Sequence, residues 1–144
     1  MAQTKTGQCM CGAVRFTATN VPDTFGVCHC DMCRRWTGSA LFGVSVAQSD
    51  LTWEGEAHIK TLQSSDWAER AWCQRCGTSL YYHVTVDGPM SAKVEIPLGV
   101  FDDPNGFTLN REIFIDQKPD SYDLAGDHER LTKAEVMAKF GVQL

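Results

Sequence analysis

Cys9-Met10-Cys11-Gly12, Cys28-His29-Cys30-Asp31-Met32-Cys33 and Cys73-Gln74-Arg75-Cys76-Gly77 hold all seven cysteines of this 144-residue chain, and their division decides the fold. Seven is odd, so a closed disulfide framework would leave one thiol over. A chain of this length also buries roughly 68–70% of its unfolded surface and needs no covalent staples. Two thiolates one or two residues apart can face one ion when the backbone turns tightly, and a glycine directly after the second permits the positive φ such a turn often uses. Both outer pairs have that glycine, Gly12 and Gly77. Pairing Cys9 and Cys11 with Cys73 and Cys76 makes the four-thiolate set of a closed structural zinc site. Cys28, Cys30 and Cys33 remain, and three protein ligands with an open fourth position are the mark of a catalytic or substrate-binding zinc. Three alternatives stay open for the middle group: closure by His29 or another histidine, a redox pair with a spare thiol, or three reduced and buried thiols.

Outward from the cysteines, most periodicity is two. Val14, Phe16 and Ala18 alternate with Arg15 and Thr17, and Ala40, Phe42, Val44 and Val46 alternate with Leu41, Gly43 and Ser45, the pattern of half-buried strands. Further strands are predicted at residues 51–53, 57–62, 79–86, 93–98 and 112–115, separated by Glu54-Gly55, Asp87-Gly88-Pro89 and the turn 102–106. The expected class is mainly β and mostly antiparallel. One short C-terminal helix is predicted: Thr132 and Glu135 form a capping box, Leu131 and Val136 a hydrophobic staple, and Gly141 a stop, so Lys133–Phe140 is helical. Val136 and Phe140, four apart, are expected to cover a sheet edge. With no repeat or low-complexity stretch, residues 1–144 read as a single domain, folded from about Gly7 onward.

The formal net charge is -5, and that balance opposes a nucleic-acid partner, whose affinity would come from neutralising phosphates. The opening Met1-Ala2-Gln3-Thr4-Lys5-Thr6-Gly7 lacks the apolar core of a secretory signal, and no stretch has the ~20 apolar residues of a membrane span. A cytoplasmic protein with no membrane partner is expected, in a compartment where clustered thiols hold metal or do chemistry.

Three thiolates leave a divalent zinc site with net negative charge, which weakens it as a Lewis acid for water. A soft external thiol suits it better, since zinc deprotonates a coordinated thiol outright. Arg34 and Arg35 follow Cys33 directly and are candidates to offset that charge or clamp a substrate carboxylate. His29, between two ligands, is expected to point away from the metal and line the substrate cavity. His83 reads as a strand histidine, while His58 and His128 have no partner in sequence and receive no role.

The run from Gly7-Gln8-Cys9-Met10-Cys11-Gly12 through Cys28-His29-Cys30-Asp31-Met32-Cys33-Arg34-Arg35-Trp36-Thr37-Gly38 to Cys73-Gln74-Arg75-Cys76-Gly77-Thr78 resembles the glutathione-dependent formaldehyde-activating enzyme family, which also includes centromere protein V. Three motifs in order, spanning roughly residues 7–122, make the resemblance specific. It implies a β-tent of several twisted antiparallel sheets built around two zinc ions. One is structural, on Cys9, Cys11, Cys73 and Cys76, and one is at the substrate, on Cys28, Cys30 and Cys33. It implies a carbon–sulfur lyase reaction in which a thiol such as glutathione adds to formaldehyde. A tryptophan expected shortly after Pro119 is replaced by Asp120-Ser121-Tyr122. The alternative is a non-catalytic zinc-binding interaction domain, as the centromere relative suggests; a homo-oligomer is compatible with either.

Overall fold

In the computed structural model, residues 3–141 are described. The strands in chain order are β1 (Gln3–Gln8), β2 (Arg15–Val21), β3 (Thr24–Cys28), β4 (Leu41–Ala47), β5 (Leu51–Glu54), β6 (Ile59–Gln63), β7 (Ala68–Cys73), β8 (Ser79–Val84), β9 (Lys93–Pro97), β10 (Thr108–Ile113) and β11 (Glu129–Leu131). Helix α1 (Asp31–Thr37) follows β3, and α2 (Lys133–Phe140) follows β11. The mainly β class is as expected. Among the described residues no helix is long and apolar enough to cross a membrane. The chain forms two compact units, Met1–Asp23 with Val44–Phe107, and Thr24–Gly43 with Thr108–Leu144.

In the first unit β1, β2 and β5 form an antiparallel sheet in the order β1-β2-β5. Val14, Phe16 and Ala18 are buried there while Arg15 and Thr17 are exposed, so the alternation in sequence is the alternation of faces. Phe16 packs its ring 5.3 Å from both Trp53 and Phe101. Gly7 lies beneath that ring: a Cβ at residue 7 would come within 2.3 Å of the Phe16 Cζ. The polar strand Gln3-Thr4-Lys5-Thr6-Gly7-Gln8 has no apolar alternation to announce it and pairs along β2 through its main chain, Gly7 opposite Phe16. Ordered structure therefore begins ahead of the expected Gly7. Strands β6 to β9 are antiparallel in the order β9-β8-β7-β6. Cys9, Val14, Cys73 and Leu80 form a buried cluster with Trp53, Ile59 and Tyr81 against it.

In the second unit the order is β11-β10-β3-β4. β3 and β4 are antiparallel, but β10 runs parallel to both β3 and β11. Parallel pairing needs distant segments, so strand-by-strand periodicity does not reveal it. At the end of β10 Phe114 takes φ 56, a left-handed conformation rare for a bulky side chain, and is buried with Leu131 and Val136. Helix α2 has the predicted bounds, both capping-box bonds, and a left-handed stop at Gly141. Val136 is buried against Leu131, as the staple requires. Phe140 departs from expectation: it stays 39% exposed, with the Arg111 guanidinium 5.4 Å from its ring centre.

Candidate metal centres and substrate site

Tight turns assemble the four-cysteine group inside the first unit. Gly12 N–H donates to the Cys9 carbonyl and Gly77 N–H to the Cys73 carbonyl, with φ of 78 and 80° at the two glycines. The four sulfurs of Cys9, Cys11, Cys73 and Cys76 lie within 4.8 Å of one another. The Cys9–Cys11 and Cys11–Cys73 sulfurs are 3.6 and 3.9 Å apart. A tetrahedral zinc with Zn–S bonds of about 2.3 Å separates its sulfurs by about 3.8 Å, so the spacing fits that ion and no disulfide closes it. Burial disfavours ionisation of Cys76, but the Thr78 hydroxyl, 3.2 Å from its sulfur, and the main-chain N–H groups of Thr78 and Cys11 outweigh it and bring the thiol down to about 5. The Ala13 N–H favours a Cys11 thiolate, yet burial and the neighbouring sulfurs push that thiol up to about 11. Four thiols so close cannot all ionise unless a cation joins them.

The three-cysteine group belongs to the second unit. Cys28 ends β3, Cys30 caps α1 by accepting from the Cys33 N–H at 3.3 Å, and Cys33 is buried within the helix. Their sulfurs also lie within 4.8 Å of one another. Hydrogen bonds with Cys30 and Cys33, together with burial and the charge of both, raise the Cys28 thiol well above its ordinary value. The donor set again calls for a cation. Among the described residues no fourth histidine, cysteine or carboxylate completes this group, whereas the other has four.

The remaining candidates divide. Arg34 and Arg35 occupy the last turn of α1, Arg34 half-buried and Arg35 exposed, and neither forms an ion pair among the described residues. His29 is 1% exposed rather than lining an open wall. Its Nε2 is 2.7 Å from Glu112 Oε1, and its Nδ1 is 3.4 Å from the Tyr122 hydroxyl. The other Glu112 oxygen is 2.5 Å from His128 Nε2 and 3.2 Å from Arg130 Nε. A carboxylate only accepts, so both imidazoles carry a proton on Nε2. Burial opposes ionisation of Glu112, but the bonds from His128 and His29 prevail and hold it below the usual carboxylate range. Sequence reasoning missed Glu112, His128 and Tyr122. Asp127-His128-Glu129-Arg130 reads as a solvated charged run, and no local signal marks Glu112 as buried. His83 is satisfied on its strand by Glu69 and the Ser91 carbonyl.

A family model described as glutathione-dependent formaldehyde-activating enzyme matches residues 4–117. The chain belongs to that family. Membership agrees with the expected enzyme class, and the match spans all three cysteine groups. An uncharacterized lyase of Schizosaccharomyces pombe is 34% identical over 131 residues, covering 91% of this chain and 93% of its own. A Halomonas elongata protein, named provisionally as a glutathione-dependent formaldehyde-activating enzyme, is 30% identical over 83 residues, about half of each chain (52% and 53%). The crystal structure of a Rhodobacter sphaeroides protein shares the fold, with a TM-score of 0.56 at 17% identity, over 87% of this chain and 98% of that one.

Proposed function

We propose that this protein is a zinc-dependent carbon–sulfur lyase that joins a thiol, glutathione or a similar molecule, to a small aldehyde such as formaldehyde. The observation that carries the reading is the inequality of the two cysteine groups, four sulfurs converging in one and three in the other. The four-cysteine group is a closed structural site. Cys28, Cys30 and Cys33 would hold the second zinc, and a three-ligand site would leave one position for substrate. Zinc bound there supplies a site that takes an exogenous thiol as its thiolate. The reaction forms one C–S bond between the thiol sulfur and the carbonyl carbon, and the thiol's proton ends on the former carbonyl oxygen.

The chain's own residues do the rest. Arg34 and Arg35 offset the negative charge of the thiolates or hold a substrate carboxylate. His29, the third expected substrate residue, backs the site from the interior, with the Tyr122 hydroxyl at its Nδ1. The family match runs through segments of both compact units, which supports treating the chain as one domain of this type. A cytoplasmic setting belongs to the same reading, because a reducing compartment keeps both cysteine groups free for metal.

Glutathione titrated into the zinc-loaded protein tests the reading by X-ray absorption at the zinc edge. A fourth sulfur at about 2.3 Å from the second zinc is expected. A coordination sphere that is already closed and does not change with glutathione overturns it.

A further inference from the structure

We propose that Glu112 is a positioning residue of the three-cysteine site, holding the His29 ring and with it the Cys28-His29-Cys30 turn, and that His128 and Arg130 lock it in place. The inference rests on the proposed role of Cys28, Cys30 and Cys33 as metal ligands. Strand β10 grips this turn twice. The Ile113 carbonyl accepts the His29 main-chain N–H at 3.1 Å, and one residue earlier the Glu112 carboxylate accepts from the His29 ring at 2.7 Å. Because His29 stands directly between two of the cysteines, a fixed ring fixes the direction in which each neighbouring residue leaves it.

A carboxylate at 1% exposure must be supplied with donors, and Glu112 has three, from two parts of the chain. His29 comes from the turn itself. His128 and Arg130 come from the segment around β11, beyond residues 4–117 that the family model matches. Tyr122, from the same segment, faces the other ring nitrogen of His29. The histidine is therefore held from both edges, and the buried charge ties the cysteine turn to a segment far away in sequence. Groups that orient a metal site from behind its ligands carry effects of about 10–100-fold in metal affinity or activity.

The test uses the full zinc-loaded chain, with both zinc affinities measured by competition against a chromogenic chelator. Glu112→Gln and His128→Ala are expected to lower the affinity of one zinc about 10–100-fold and leave the other unchanged. His128→Gln, which keeps a donor near the same place, is expected to recover most of the loss. Circular dichroism and thermal unfolding follow the fold. If Glu112→Gln and His128→Ala do not fold, Arg130→Met serves instead, since Arg130 is 40% exposed and its loss leaves Glu112 two donors. It is then expected to weaken the same single zinc to a smaller degree. Two zincs of unaltered affinity in the folded variants, or an equal fall at both, overturn this inference alone. A wild-type chain that holds a single zinc overturns it together with the reading it rests on.

Discussion

Replacing Cys76 by alanine removes one sulfur of the four-cysteine group, and the structure sets how much that costs. The group ties the turn after β1 to the turn after β7, with Cys11 and Cys73 separated by 62 residues. The three-cysteine group spans residues 28–33 and closes only a local loop. With closure entropy rising as (3/2)RT ln n, the distant cross-link constrains the unfolded chain by about 2 kcal/mol more than the local one. A structural zinc contributes about 10–16 kcal/mol of apparent binding energy, so an even share for one ligand in four is about 2.5–4 kcal/mol. The Cys76–Thr78 contact adds about 1 kcal/mol. Domains of this kind are stable by about 5–15 kcal/mol, and a loss of this size lowers Tm by about 10–20 °C. Cys76→Ala is expected to be insoluble or protease-sensitive. Cys30→Ala loses the cap of α1, worth about 1 kcal/mol, and one ligand of the proposed second zinc; it is expected to stay folded, retain one zinc and lose activity. Solubility, limited proteolysis and zinc content of the two variants measured side by side are the assay. Equal solubility and equal zinc content would refute the division of roles.

Two further outcomes concern the C-terminal segment. Thr132→Ala removes the hydroxyl that accepts the Glu135 N–H and is expected to destabilise α2 by about 1 kcal/mol, seen as faster amide exchange over residues 133–140; unchanged exchange would contradict the capping account. Glu129 accepts from Lys139 and Arg111, which hold its carboxyl below the usual range. A depressed carboxylate stabilises the fold above its unfolded value and loses that contribution as pH falls through the folded one, so β11 and α2 are expected to loosen first below about pH 4. Exchange protection there that does not change with acid, or that changes equally in Glu129→Gln, would contradict this.

The legible parts of this protein are those whose physics is local. The bounds of α2 follow from the capping box, the staple and Gly141, all within eleven residues. The burial of Phe16 follows from alternation along β2. Strand β1, whose residues are polar, is ordered by its pairing partner and carries no such mark. Helix α1 was equally hidden. It is seven residues long and capped by Cys30, and cysteines, not amphipathic periodicity, punctuate that stretch.

The same boundary runs through the site. By itself the sequence determined the division of seven cysteines into four and three, because short spacings and the glycines after two of the pairs restrict where the sulfurs can point. Only the tertiary structure decided what stands behind the three. Glu112 meets His29 across a separation of 83 residues and His128 across 16, through parallel strands that no periodicity announces. A charged residue reads as solvated until its donors are known, and these donors are brought to it by the fold.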